Sequence, residues 1–520
     1  MTISRRQWII IAVLVVVALT ARALPGARTI DDAFITFRYS RSIVEGQGFV
    51  YNPGVHTLGT TTPLFALTMA AISKITGGED FQNYAIAVSA IADAITVVLL
   101  FLIARRAIDN DWIAALPAAL WAISPMSVTF AIGGMETSVN ILWMVAATWL
   151  FVAHSGSRRG QIGMGVCAAL GLLTRIDAAF WIAPLFAFQF IDSWIKGHGK
   201  PILERLPWRT WIACGLVLLP WLIFSAAYFG ALIPNSVTAK RNAYLIGPLS
   251  ALKQLIPVYA TPFFEFNTFG SIGAMVGAVV YLALSLFALI FTARKLPRLL
   301  PLLIYPWLYL LIFSALNPLV FRWYFAPPIP ALMLSIVIGA WAVVSQPLRR
   351  SRALRFAPLI VGLIGCVWLF TSVNGWALHP DQGADRPAPR MASNALELLY
   401  QQMGEHLRND LGVVPVTRVA SADIGAIGYF SRATIVDTVG LVTPELTRYY
   451  PLDPALIASD QNYAIPPQLI YDTQPDYLVT MEGFVRAGLA QQAQFNDAYQ
   501  LITAYPFTAY GSSMQLYAKK

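Results

Sequence analysis

Charge is what this chain lacks. Only 12% of its 520 residues are Asp, Glu, Lys or Arg, about half the share of an ordinary soluble domain. Apolar residues make up 57% and fall in more separate runs than a soluble core needs, which excludes a soluble globular protein. Cysteine is scarce as well. Cys167, Cys214 and Cys366 all lie inside apolar runs, which excludes a disulfide framework and a zinc-type spacing and leaves three small core residues. There is no internal repeat and no low-complexity tract. A net charge of +9 would suit nucleic acid, but the basic residues sit in short clusters between apolar runs. Such clusters suit the cytoplasmic ends of spanning helices and anionic lipid headgroups, so no nucleic-acid partner is expected.

What the chain has is apolar length. A spanning helix needs roughly 17–25 mostly apolar residues. Runs of that kind lie near 8–24, 82–104, 112–131, 137–153, 161–174, 176–192, 210–229, 272–293, 299–316, 325–345 and 356–374, about eleven spans. Those at 161–174 and 176–192 are short and meet at Arg175, which fits tilted or partly re-entrant helices. With Arg5 and Arg6 in the cytoplasm, every second loop carries a basic cluster: Arg105 and Arg106; Arg158 and Arg159; Lys196, Lys200, Arg205 and Arg209; Arg294, Lys295 and Arg298; Arg349, Arg350, Arg352 and Arg355. That alternation obeys the positive-inside rule and places the N-terminus in the cytoplasm. A cleaved signal peptide ending near Ala21-Arg22-Ala23 competes for the first run, but the apolar stretch outlasts a usual signal core. On either reading the following segment emerges outside.

The expected architecture is an α-helical polytopic membrane domain over 1–374 and a soluble extracytoplasmic α/β domain over 375–520. Two outer loops, 25–81 and 230–271, are too long to be turns. Pro63 to Ile75 is apolar but short, which predicts an interfacial helix on the outer leaflet. In the tail, Leu396, Leu399, Met403 and Leu407 have helical spacing, and Thr417–Ala420, Thr434–Val436, Tyr477–Thr480 and the edge-like Ser513–Ala518 read as strands.

Asp31 and Asp32 stand just beyond the first span, and adjacent carboxylates raise each other's proton affinity toward the range of a general base. Capping the next helix is the alternative. Asp93 lies inside the second span; it is either a hydrogen-bonded core residue or the coupling site of a transporter. His56 reads as a loop residue.

The stretch Asp-Asp-Ala-Phe-Ile-Thr-Phe-Arg-Tyr-Ser-Arg from Asp31, followed by Glu45–Gly54 and Gly59–Pro63, resembles the first outer loop of the GT-C membrane glycosyltransferases. The likeness is to bacterial members such as the terminal arabinofuranosyltransferases of mycobacterial cell-wall synthesis. Gly133–Ser138, Leu173–Asp177, Tyr228–Lys240, Phe321–Tyr324 and the tail stretches Ala422–Ser431 and Asp437–Leu441 are similar to further pieces of those proteins, in the same order. Ile176 departs from the pattern, which has proline there.

The resemblance implies transfer of a sugar from a polyprenyl-phosphate donor to an extracytoplasmic glycan, lipid or protein at the plasma (inner) membrane. Arabinofuranosyl transfer with inversion is the favoured form. Asp31 would be the base, with Asp32 its partner or an acceptor or metal contact; Arg175, Lys240 and Arg322 would bind the phosphate. Glu136, Asp177 and Asn235 fall at outer ends of spans on the same face. Some relatives use a divalent cation, and the sequence leaves that open. The rival is a multi-span transporter or lipid-carrier flippase, which would want polar residues along several spans and matching halves.

Overall fold

The computed structural model describes residues 3–263, 266–349, 394–507 and 510–520, with scattered positions between 356 and 368. Among these, eight helices are long and apolar enough to cross a membrane: Arg5–Ala23, Phe81–Ala107, Thr137–His154, Ile176–Lys196, Trp208–Phe229, Gly270–Lys295, Pro297–Leu316 and Arg322–Ser345. A ninth arises if Asp111–Ile123 and Pro125–Ile132, bent by 44° across Ser124, form one span. Pro125 opens the second piece; lacking an N–H, it breaks the helix at that point.

These nine coincide with nine of the predicted runs, and eleven is not reached. The run at 161–174 does form a helix, Arg158–Thr174, of 17 residues. At 1.5 Å per residue it is about 25 Å long, short of a bilayer core of about 30 Å. The run at 356–374, with the domain boundary at 374/375, lies for the most part outside the described residues. We label the helices used below α1 (Arg5–Ala23), α2 (Asp31–Val44), α3 (Pro63–Thr76), α4 (Phe81–Ala107), α5 (Asp111–Ile123), α6 (Pro125–Ile132), α7 (Thr137–His154), α8 (Arg158–Thr174) and α9 (Ala179–Lys196). The apolar run Pro63 to Ile75 is α3. At Arg175 the backbone turns extended (φ −154°, ψ 134°), which ends α8 and separates it from the 3-10 turn and α9 that follow.

A buried ion pair ties five of these helices together. Arg22 of α1 and Asp93 of α4 are fully enclosed and meet at 3.0 Å. The guanidinium also donates to the Ala18 carbonyl at 3.2 Å, to the Ala122 carbonyl of α5 and to the Ser127 hydroxyl of α6. Ser138 of α7 donates to the same Asp93 oxygen at 2.9 Å. A carboxylate that looked isolated in the sequence therefore has a full charge partner. Because a charge in hydrocarbon is tolerated only when paired, α1 is an integral part of the bundle.

The tail carries a five-stranded sheet of order β2-β1-β3-β5-β4, with β1 (Arg418–Ser421), β2 (Thr434–Asp437), β3 (Tyr477–Met481), β4 (Tyr499–Pro506) and β5 (Ser513–Lys519). β1 pairs in parallel with β2 and β3, while β5 runs antiparallel between β3 and β4. The four expected strands are present within a residue or two. Ser513–Ala518 is not at the edge, however: β4 is, and it was missed because most of its side chains face solvent, so no buried alternation marks it. The expected helix is Asn394–Asn409, with Tyr400, Met403 and Leu407 on its buried face.

Removing one half of the Arg22–Asp93 pair should strand the other in an apolar interior. Arg22→Ala or Asp93→Ala is expected to cost about 3–5 kcal/mol, while an Arg22→Met/Asp93→Leu double variant recovers most of it. Thermal unfolding in lipid nanodiscs measures this; equal losses in the single and double variants would refute the coupling.

Candidate active site

The site begins where α2 begins. Ile30 anchors the helix start by donating its N–H to the Gly133 carbonyl at 2.9 Å, and Asp31 and Asp32 occupy the first turn, where the helix dipole favours negative charge. Neighbouring residues on a helix point about 100° apart, so the two carboxylates diverge.

Asp31 turns to the tail. Its oxygens accept the backbone N–H of Gly425 (3.1 Å) and Ala426 (2.7 Å) at the start of the helix Gly425–Ser431. A Cβ on Gly425 would overlap the Asp31 carbonyl, and one on Gly428 the Tyr51 hydroxyl; only glycine allows so close an approach. Burial and the nearby Asp423 carboxyl, with a smaller push from Asp32, raise the Asp31 carboxyl from 3.8 to about 8, against the two amide donors. Asp423, also raised by burial, accepts a hydrogen bond from Tyr400.

Arg38 of α2 and Asn52, between α2 and α3, extend this contact. The buried Arg38 guanidinium donates to the carbonyls of Tyr51 (2.8 Å), Gly428 (2.7 Å) and Ala433 (2.6 Å) and to the Asn52 side chain (3.0 Å). Asn52 accepts from the Ile435 N–H (3.0 Å) and donates to its carbonyl (2.8 Å), pairing with β2 as a strand would. Arg41 donates to the Tyr429 carbonyl at 2.7 Å and lies 3.6 Å above the Tyr429 ring centroid.

Asp32 turns the other way, into a cavity of about 310 Å³. Opposite it stands Lys240, from the helix Asn235–Ala243, at 3.3 Å. Burial alone would weaken the ammonium, but Asp32 reverses this and holds Lys240 protonated above its ordinary range. The ammonium also lies 4.3 Å from the centroid of the Phe321 ring. Thr36, Thr60, Thr61, Thr62, Ser236, Arg241, Trp323 and Tyr324 complete much of the lining, and Leu441 of the tail closes it. The tail loop is pinned there by Asp437, which accepts from the N–H groups of Val439, Gly440 and Val442. Asn235 donates to the carbonyls of Gly440 and Leu441.

At the far wall Arg175 is fully engaged. Its Nη1 donates to Glu136 at 2.7 Å, and its Nε and Nη2 form a fork on Asp177 at 2.9 and 3.0 Å. Burial would lower its basicity, but the two carboxylates outweigh burial and raise it well above its ordinary value.

Over 99% of this chain and 98% of the other, the structure superposes on ArnT of Cupriavidus metallidurans bound to undecaprenyl phosphate, with a TM-score of 0.54 at 13% identity. The chain has the GT-C fold. A family model described as dolichyl-phosphate-mannose-protein mannosyltransferase matches residues 60–224, and a domain of unknown function matches 391–517. In sequence the chain is 23% identical over 230 residues to a terminal β-(1→2)-arabinofuranosyltransferase of Mycobacterium tuberculosis, covering 41% of this chain and 35% of that protein. It is 29% identical over 173 residues to undecaprenyl phosphate-α-4-amino-4-deoxy-L-arabinose arabinosyl transferase 1 of Pseudomonas fluorescens, covering 31% and 29%. The chain thus matches about a third of the length of each curated relative.

Within this GT-C fold, five of the eight predicted residues line one cavity: Asp32, Glu136, Arg175, Asp177 and Lys240. Asp31 and Asn235 adjoin it and hold the tail. Arg322 does not line it; its charge acts instead on Glu397 of the tail. Sequence reasoning passed over Thr61, Ser236, Arg241, Asp423 and Tyr324. Thr61, Ser236, Asp423 and Tyr324 fall inside stretches already singled out for family likeness, but nothing local says which of their side chains face inward.

The raised Asp31 carboxyl carries a sign. A folded pKa above the unfolded one means the docked form binds the proton more tightly, so its stabilisation is complete below about pH 4 and is lost as pH rises through about 8. Amide exchange in 425–431, corrected for intrinsic rate, should show weaker protection at pH 8 than at pH 5. Asp31→Asn should flatten the difference. Protection that grows with pH in the unmodified protein would contradict this.

Proposed function

We propose that this protein transfers a sugar from a polyprenyl-phosphate donor to an acceptor on the outer face of the membrane, with Asp32 as general base. The observation that carries this reading is the Asp32–Lys240 pair, 3.3 Å apart in a cavity at one end of the bundle. An attacking hydroxyl must give up a proton, which a positioned carboxylate takes. The phosphate must leave as its charge grows, and a cation stabilises it. In this scheme the acceptor oxygen bonds to the anomeric carbon as the bond from that carbon to the phosphate oxygen breaks. Asp32 takes the acceptor's proton, the electron pair leaves with the phosphate, and one displacement inverts the centre.

The geometry redistributes the roles expected from sequence. Asp31 is committed to the tail amides, so the base is Asp32. Arg175 already serves two carboxylates, and that cluster's net negative charge would repel a phosphate; Lys240, with Arg241 beside it, is the phosphate end. Glu136, Arg175 and Asp177 form a wall that orients the sugar. Asp31 and Asp32 diverge, so they do not share a divalent cation between them, and among the described residues no group of three or more His, Cys, Asp or Glu is arranged to hold one. The transporter reading is disfavoured because Asp93, which it would need free, is held by Arg22. Likeness to the arabinosyl-transferring relatives favours an arabinofuranosyl donor and a cell-wall glycan acceptor. The basic clusters favour an inner-membrane protein with a cytoplasmic N-terminus and its tail outside.

Purified protein in nanodiscs, supplied with polyprenyl-phosphate arabinofuranose and an arabinan oligosaccharide, tests this. Asp32→Asn should lower transfer by about 100-fold or more while leaving donor binding intact, and Lys240→Ala should weaken donor binding. Full transfer by Asp32→Asn would remove Asp32 from the mechanism.

A further inference from the structure

The cavity holds more hydroxyl groups than the proposed reaction uses. Thr36 and Asp32 lie one turn apart on α2, and Ser236 and Lys240 one turn apart on the helix Asn235–Ala243. Residues four apart share a helix face, so each charged group comes with a hydroxyl beside it, and all four line the cavity. A third segment, Thr60-Thr61-Thr62, joins them just before α3. Three of these hydroxyls are committed to one another: Thr36 to Thr62 and Thr60 to Thr62, both at 3.0 Å. Two are not. Ser236 is 7% exposed and its Oγ has no hydrogen-bond partner. Thr61, half-buried and also lining the cavity, makes no side-chain hydrogen bond among the described residues.

A buried hydroxyl without a partner is an exception that asks for a reason. Here the reason is a cavity of about 310 Å³. That is room for about ten waters, enough for a sugar ring. Phosphate would go to Lys240 and Arg241; hydroxyls suit a ligand that is itself rich in hydroxyls, because each group both donates and accepts.

We propose that Ser236 and Thr61 form the subsite that reads the hydroxyls of the donor's sugar, backed by the Thr36–Thr62–Thr60 chain that fixes the wall. This rests on the transferase reading and adds the specificity it lacks. A site built to hydrogen-bond a substrate hydroxyl rejects the analogue without it, since the site's own polar group is then left unpaired.

The test compares Ser236→Ala and Thr61→Val with the unmodified protein on polyprenyl-phosphate arabinofuranose and its monodeoxy analogues. Each variant should lose about tenfold or more in kcat/KM on the complete sugar, and lose nothing further on the one analogue that lacks the hydroxyl it reads. Affinity for bare polyprenyl phosphate, followed by native mass spectrometry, should stay unchanged. An equal loss on every donor, no loss on any, or weakened binding of the bare lipid would each overturn the subsite. The binding arm keeps the two readings apart. If the unmodified protein transfers no sugar, yet both variants bind the glycosylated lipid more weakly and the bare lipid as before, the transferase reading falls and the subsite stands.

Discussion

A single guanidinium holds the tail against the helical domain. Arg38 leaves α2 and spends its donors on four acceptors, two from the segment that follows α2 and two from a tail some 390 residues away in sequence. Burying an arginine is costly unless its donors are satisfied, and hydrogen bonds to a charged group are worth about 1.5–3 kcal/mol each. Desolvation pulls its basicity down, and the four acceptors satisfy the donors that burial takes from water. The order of construction follows. Arg38 holds the tail against the loop, the glycines at 425 and 428 allow the helix to lie flat against it, and Leu441 is thereby delivered to the cavity wall. The tail is structural to the site, whatever else it binds.

The charges of the cavity are sorted by the same bookkeeping. Cations that look equivalent in the sequence differ in what they have already spent. Arg175 gives both faces of its fork to Asp177 and its remaining edge to Glu136, whereas Lys240 has one carboxylate partner and an aromatic ring. An ammonium with three rotatable donors can exchange a partner as a phosphate arrives; a bidentate arginine gives up more to do so. The two ends of the cavity thus acquire different chemistry from similar residues.

Deeper in the bundle the logic is structural. The Arg22–Asp93 pair binds helices that hydrophobic contact alone would hold weakly, since lipid tails compete for apolar faces. It sets α1 against α4 and fixes the bent pair α5 and α6, whose connection to α7 carries Glu136.

The division between what was legible in sequence and what was not follows the range of the forces. Apolar runs and strand alternation are local patterns, and the eight or nine apolar helices, four tail strands and the short helix α3 could be read from them because lipid and water act on each segment independently. The gathering of Asp32, Glu136, Asp177, Arg175 and Lys240 on one surface was legible too, since threading alone sets which ends of the helices share a side. Partners were not. Which of two adjacent aspartates faces the cavity depends on the rotation of α2, and that is decided by a tail helix about 390 residues away in sequence. Asp93 looked solitary because its arginine is 71 residues distant, and β4 was invisible because an edge strand exposed to solvent leaves no periodic trace. Sequence by itself determined which segments enter the membrane; only tertiary structure decided which charges meet, because electrostatic pairing acts between side chains brought together through space.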